Sequence, residues 1–304
     1  MKKSKFVKST IILIIGGCIT KIMSMFIRIV MTRLIGTEGI GIYMLISPTF
    51  MLLIAIAQFG FPVAISKLVS ENNKNNKNLV LSVIPFSLFI NLLIIIFLLF
   101  TSNYLANYLL KEPRTFYALI CIGFVLPFIS ISSIIRGYFF GKEKMFPHVL
   151  SNVVEDIIRL IVIAIGVPIF LIKGLEYAIA FLVLSNIFSE LTSIITLICF
   201  LPKKIHLTKK DFIPDTSNIK DVLNVSLPTT GSRLIGSIGY FLEPIILTYC
   251  LLKSGYTNNF IVYQYGIVNG YVMTLLLLPS FFTMAISQAL IPVVSHAYSR
   301  NRLE

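Results

Sequence analysis

FVKSTIILIIGGCITKIMSMFIRIVMTRLI, residues 6–35, is an apolar run long enough to cross a bilayer, yet it carries Lys21 and Arg28 within it. A spacing of seven residues is close to two helical turns, so both side chains leave nearly the same face of a helix. Gly17 and Ser24 fall on that face too, which draws a polar stripe along an otherwise apolar helix. A cation deep in hydrocarbon costs at least ~2.5 kcal/mol on insertion scales, so the stripe is expected to face protein or a water-filled cavity. A cavity lined by fixed positive charge is suited to an anion.

The rest of the chain has the same apolar character. Of its 304 residues, 56% are hydrophobic and 13% charged, about half the ~25% charged share of a soluble domain. Eight runs are long enough to span: 6–35, 41–68, 79–103, 115–140, 147–172, 175–201, 219–252 and 262–297. The first is too long for a signal-peptide core, lacks a small-residue cleavage site and is itself charged, so it reads as a retained span. Cys18, Cys121, Cys199 and Cys250 are scattered, with no metal or disulfide spacing. With no Trp, Tyr and Phe must form any interfacial belt.

The net charge of +13 follows topology rather than a nucleic-acid surface. With a cytoplasmic N-terminus, Lys2, Lys3, Lys5 and Lys8, then Lys67, Lys74 and Lys77, then Arg136, Lys142 and Lys144 fall inside. Lys203, Lys204, Lys209, Lys210 and Lys220 join them, as do Arg300 and Arg302. Only Lys111, Arg114, Lys173 and Lys253 fall outside, a bias that supports both the eight crossings and the orientation. Attraction to anionic lipid is a secondary effect, and no nucleic-acid partner is implied.

Organisation follows from the loops. Residues 1–202 read as a six-helix lobe, 203–220 as a cytoplasmic linker, and 221–304 as the first two helices of a second lobe. A faint echo supports a repeat: Pro62-Val63-Ala64-Ile65-Ser66 ends segment two and Pro292-Val293-Val294-Ser295 ends segment eight. The second copy would stop after two helices, so the chain is expected to be a fragment or the product of a truncated gene. Pro48, Gly60, Pro62, Pro85, Pro127, Pro168, Pro244 and Pro279 are expected to kink their spans.

Other polar groups fall inside the spans. Segment five holds Asn152, Glu155, Asp156 and Arg159, with Glu155 and Arg159 spaced for an i,i+4 pair. A self-neutralised cluster is the leading expectation there, with proton or cation coupling second. Segment six carries Ser185, Asn186, Ser189, Glu190 and Ser193; Glu190 has no basic residue on the adjacent turns. It reads as protonated, as paired across helices with Lys21 or Arg159, or as part of an ion path. Segment seven places Arg233 and Tyr240 on one face, followed by Glu243. Arg33 and Arg136 sit at segment ends, where snorkelling or topology accounts for them, and for Arg233 snorkelling and a cavity role stand level. Asn269, Tyr271, Thr274 and Gln288 supply the polar atoms of segment eight. His148, His206 and His296 are isolated at cytoplasmic edges, and no phosphate-binding loop, HExxH or nucleophile elbow occurs, so an enzyme is not expected.

Several strings resemble the stage V sporulation protein B family. They are RLIG (33–36), GIGIY (39–43), AQFGFPVAISKLV (57–69), ISSIIRGYFFGK (131–142), SLPTTGSR (226–233) and TLLLLPSF (274–281), spread over the whole chain. That family resembles the polysaccharide branch of the multidrug/oligosaccharidyl-lipid/polysaccharide exporters. The resemblance implies an all-α, fourteen-helix flippase fold of two six-helix lobes around a central cavity. It also implies a role in moving lipid-linked precursors of spore cortex peptidoglycan, and it implies that about two-fifths of the protein lies beyond this chain. Related lipid II flippases use cavity Arg residues on their first and eighth helices. Lys21 and Arg28 are similar to the first set; segment eight has no Arg before Pro279, and Arg233 is the substitute.

The leading reading is therefore a flippase whose Lys21, Arg28 and Arg233, with Ser24 and Tyr240, receive an undecaprenyl-pyrophosphate-linked glycan. Coupling to H+, Na+ or the membrane potential stays open, with Glu155, Asp156, Arg159, Glu190 and Glu243 as groups for coupling or structural pairing. No cofactor or metal is implied. A cation-coupled small-molecule exporter using Glu190 or Glu243 is the second reading, and a non-transporting scaffold for cortex-synthesis enzymes the third.

Overall fold

A straight helix through the first two apolar runs, residues 6–68, would be about 95 Å long, against a hydrocarbon core of ~30 Å. The computed structural model, which describes residues 3–71, 76–201 and 216–277, shows how the chain resolves this. Helix α1 (Lys3–Gln58) is two helices joined at Gly36, where φ is 68° and ψ −178°. That backbone region is open essentially to glycine alone. A Cβ added at Gly36 would meet nothing within 4 Å, so the demand is conformational and not steric.

A second corner follows. Phe59 (φ 44°) and Gly60 (φ 63°) turn the chain into α2 (Phe61–Glu71). The expected segment 41–68 is thus broken near its end, because two successive left-handed residues cannot continue a helix. The Phe59 ring packs on Phe61 at 5.5 Å and on Phe86 at 6.5 Å between centroids, which holds the corner.

Helix α3 (Asn76–Tyr104) runs into a π-helical stretch, Leu105–Leu109, and a 3-10 turn, Pro113–Thr115, leads to α4 (Phe116–Gly141). Pro113 opens that turn and the Glu112 carboxylate caps it, accepting from the Arg114 N–H. Helices α5 (Met145–Leu171) and α6 (Leu175–Cys199) complete the first bundle. Then come α7 (Thr216–Lys253) and α8 (Asn258–Tyr265), whose N-cap Thr257 accepts from the Phe260 N–H. α8 continues through a π-helical stretch, Gly266–Val272, into α9 (Met273–Leu276).

Among the described residues there is no strand. Five stretches are long and apolar enough to cross a membrane: Ile11–Glu71, Asn78–Leu109, Pro113–Gly141, Leu175–Cys199 and Ile219–Lys253. The first of these spans 61 residues and contains both halves of α1. α5, at 27 residues, is as long as its neighbours but carries Glu155, Asp156 and Arg159 mid-helix. The chain is a multi-pass membrane protein.

Within the first bundle α6 lies against α4 and α5, α1 against α5, and α3 against α4. Ile42, Leu45, Ile46, Leu119, Ile122, Leu126, Ile179 and Val183 lie in its apolar core, all almost wholly shielded. α7, α8 and the Gly266–Val272 stretch pack on α1. There the backbones nearly touch: a Cβ added at Gly41 would lie 2.1 Å from the Val262 carbonyl oxygen. Most of the expected linker 203–220, with His206, Pro279, Gln288, the Pro292–Ser295 motif and His296, lies outside the described residues.

Two glycines, one at a corner and one inside α7, make opposite predictions for alanine. Gly36→Ala is expected to lower stability by about 1–3 kcal/mol through backbone strain alone. Gly231→Ala, on helical backbone with open space around it, is expected to be neutral or stabilising by up to about 1 kcal/mol. Thermal unfolding in detergent measures both, and equal midpoints for the two variants would refute the assignment of strain to Gly36.

Candidate functional site

The kink at Gly36 brings residues from both halves of α1 round one cavity of about 540 Å³. Its first wall is the polar stripe: Lys21, Ser24 and Arg28, with Met44 and Ser47 from beyond the kink. Facing them are Tyr240 and Glu243 of α7, then Asn269, Met273 and Thr274 from the segment after α8. The volume lies within the ~300–1,000 Å³ usual for a small-molecule pocket.

Arg28 joins the two walls. Its Nη1 donates to the Asn269 carbonyl at 3.0 Å, to the Gly270 carbonyl at 3.4 Å, and to Thr274 Oγ1. The acceptors belong to a π-helical stretch and the turn after it, a widened geometry that recurs at functional sites. Thr274 Oγ1 in turn donates to the Gly270 carbonyl at 2.8 Å. A guanidinium has five N–H groups, so those not spent on this wall remain for a ligand. Neither Lys21 nor Arg28 has a carboxylate within 4.0 Å among the described residues.

Arg233 does not line this cavity. It precedes Tyr240 by seven residues, about 10 Å along the helix axis, and its Nη1 reaches Gln58 Oε1 at 3.4 Å near the Gly60 corner. The shared face with Tyr240 is real, but helical rise carries the guanidinium to another level. Glu243, expected as a coupling or pairing group, lies on the cavity wall instead of in an ion pair.

The remaining charges form a separate, buried network inside the first bundle. Arg136 Nη2 of α4 pairs with Glu155 Oε2 at 2.5 Å and lies 3.5 Å from Glu190 Oε2. Arg159 Nη2 bonds Glu155 Oε1 at 2.9 Å, the i,i+4 pair expected from the sequence. Ser132 Oγ donates to Glu190 Oε2 at 2.5 Å, and Arg136 also donates to Ser193 Oγ at 2.7 Å. Asp156 is buried beside them. Arg136 therefore does not snorkel as its place in the sequence predicted; its partners lie 19, 54 and 57 residues away along the chain, where no local spacing rule reaches.

A further set of polar contacts closes the Gly36 end of the bundle. Arg114 bonds Glu38 at 2.5 Å and Glu112 at 2.7 Å. Asn258, at the start of α8, donates to Glu112 Oε2 at 3.1 Å and to the Lys111 carbonyl at 2.9 Å. Thr37 and Tyr271 lie 3.3 Å apart through their hydroxyls on the same interface. Sequence reading counted Lys111 and Arg114 only as topology charges and did not single out Glu38, Glu112 or Asn258.

Comparison with known proteins places this architecture. The family model for "Polysaccharide biosynthesis protein" matches residues 6–298. The chain is 40% identical over 314 residues to stage V sporulation protein B of Bacillus subtilis (strain 168), covering 100% of this chain and 61% of that protein. It is 28% identical over 171 residues to the lipid II flippase MurJ of the same organism, covering 52% of this chain and 31% of the flippase. A solved inward-facing multidrug resistance MATE family transporter of the MOP superfamily superposes with TM-score 0.69 at 19% identity, over 96% of this chain and 66% of that one. The fold is thus a MATE-like transporter fold, and the chain spans about three-fifths of the length of its sporulation relative.

The buried network yields a test. Glu155→Ala leaves Arg136 and Arg159 facing each other without their shared carboxylate, and is expected to cost about 3–5 kcal/mol. Replacing Lys21 by Ala, where no pair exists, is expected to change stability by less than ~1 kcal/mol. Parallel melting curves of the two purified variants check this; a Glu155→Ala protein as stable as the parent would show that the network holds nothing together.

Proposed function

We propose that this chain, which belongs to the polysaccharide biosynthesis protein family, forms the first lobe and the start of the second lobe of a membrane flippase for a lipid-linked glycan. Residues 1–202 are the first lobe, 203–220 the linker, and 221–304 the opening helices of the second. The observation that carries the reading is the pair of cations Lys21 and Arg28 on one wall of the cavity, neither with a carboxylate within 4.0 Å among the described residues. A diphosphate is the anion that best matches them. It offers oxygens to two cations spaced along one helix face, and it can remain tethered to a polyprenyl chain lying in the membrane.

The physical role of the two cations is to offset the desolvation of the anionic head group. Bringing a diphosphate out of water is costly unless charge-assisted hydrogen bonds replace its hydration. Lys21 supplies a mobile point charge, while Arg28 is oriented by the Asn269 and Gly270 carbonyls before any ligand arrives. Ser24 and Tyr240 line the same space and offer hydroxyl donors. The undecaprenyl-pyrophosphate-linked precursors of cell-wall or spore cortex peptidoglycan have this chemistry. The relatives named for stage V sporulation and for lipid II flipping point the same way. No covalent step is required of the protein, which acts as a transporter and not an enzyme.

Transport then proceeds by rocking of one lobe against the other around a fixed site. We place the Gly36 end outside and the N-terminus in the cytoplasm of a bacterial cell, following the distribution of basic residues. The contacts of Asn258 with Glu112 and Lys111 then lie at the outer end of the bundle.

Replacing Lys21 and Arg28 together by Ala in the full-length protein is expected to weaken binding of a polyprenyl diphosphate at least about tenfold, from the ~1.5–3 kcal/mol of a hydrogen bond to a charged group. The same variant is expected to fail to restore spore cortex in cells lacking the native gene. Normal cortex in those cells, with the variant at native levels, would sink the proposal.

A further inference from the structure

We infer that the cavity contains a second subsite, beside the cationic one, for a hydrogen-bond-donating group such as a sugar hydroxyl or a protonated amine, with Glu243 as its acceptor. This rests on the flippase reading of the same cavity and adds to it which part of the ligand the α7 wall receives.

A carboxylate on the wall of an anion-binding cavity is unexpected on electrostatic grounds, because it repels the ligand that Lys21 and Arg28 attract. Two arrangements would remove the conflict. Glu243 could neutralise one of the cations, but no described cation lies within 4.0 Å of it, although Arg28 and Lys21 line the same space. Arg28 instead spends its Nη1 on the Asn269 and Gly270 carbonyls and on Thr274, all neutral groups. The remaining arrangement is that Glu243 faces a different part of the ligand.

Its surroundings fit that role. Tyr240, one turn earlier on α7, shares the face of Glu243, and Ser47 of α1 lies alongside. Tyr265 of α8 also lies next to Glu243. An ionised carboxylate only accepts hydrogen bonds, whereas the hydroxyls around it can donate or accept. The hydroxyls can serve either part of the ligand, but the carboxylate is satisfied only by an O–H or N–H donor and repels a bare phosphate. An organic cation would satisfy Glu243 but would be repelled by Lys21 and Arg28. The ligand that suits both walls carries a fixed negative end next to neutral or amine donors, which describes a sugar joined to a diphosphate.

The test uses the full-length protein in nanodiscs with two probes: a polyprenyl diphosphate, and the same lipid bearing one N-acetylated sugar. Glu243→Ala is expected to weaken binding of the sugar-bearing lipid about tenfold to a hundredfold, the range for a hydrogen bond to a charged acceptor. Binding of the bare diphosphate is expected to hold or tighten, since a repelling charge is gone. Glu243→Gln keeps the size and one acceptor oxygen, and is expected to fall between parent and Ala for the sugar-bearing lipid. Equal weakening of both lipids, or no change in either, overturns the subsite and leaves the anion reading standing. A parent protein that binds neither lipid overturns both.

Discussion

An ionised side chain in hydrocarbon must find a counter-charge or water, and the placement of every other polar group in this protein follows from how that demand is met. Inside the first bundle it is met by pairing. Arg136 from α4, Glu155 and Arg159 from α5 and Glu190 from α6 meet at one level, with Ser132 and Ser193 completing their hydrogen bonds. Three helices are thereby fixed in register by contacts that apolar packing alone would not specify. The cations of α1 are treated differently. Among the described residues Lys21 and Arg28 have no carboxylate within ion-pair distance, and they lie on the helix against which α7, α8 and the Gly266–Val272 stretch pack. The contrast between charge neutralised inside the first bundle and, among the described residues, charge left without a counter-ion on the cavity wall is what marks the cavity as a candidate site.

The backbone makes that contrast possible. Gly36 breaks α1 in a conformation that side-chain-bearing residues rarely take, so two helices leave one point and share the cavity wall. Beyond the kink, Gly41 lies so close to Val262 that any side chain there would displace the helix after it. This close approach delivers Asn269, Gly270 and Thr274 to Arg28. A bulkier contact would leave the guanidinium short of its carbonyls, and the cavity would lose one wall. Position and charge are therefore set together.

Much of this was readable from residue spacing and some of it was not. The stripe of Lys21, Ser24 and Arg28 was legible because helical periodicity alone puts i, i+3 and i+7 on one face, and these residues line one cavity. The Glu155–Arg159 pair was legible for the same local reason. Arg136 was misread because its partners are on other helices, and position in sequence says only that it sits near a segment end. Arg233 was grouped with Tyr240 correctly by angle but wrongly by height, since periodicity carries no information about which level of a neighbouring helix a residue meets. A kink at Gly60 is legible from the glycine itself, but its size is not: two left-handed residues in succession, Phe59 and Gly60, end the helix, and the Phe59 conformation leaves little trace in hydrophobicity. Asn269 and Thr274 were noted only as polar atoms; the π-helical turn that aims their oxygens at Arg28 arises from packing against α1.

The contacts of Arg28 and the closure of the Gly36 end belong to a single interface. Arg28 holds Asn269 and Gly270, Thr37 meets Tyr271, and Asn258 bonds Glu112, all between the first bundle and the segment from Asn258 to Thr274. Separating that segment from α1 would break these bonds together, because its helical turns are continuous and the Gly41–Val262 approach leaves no slack between them. In the function proposed above, an anion bound between Lys21 and Arg28 would act directly on this coupling. It offers the guanidinium a charged acceptor in place of neutral carbonyls, and charged acceptors are roughly twice as strong. On that proposal the group that meets the ligand is the group that ties α1 to the Asn258–Thr274 segment, and occupancy of the cavity and the strength of that interface would be linked by one side chain.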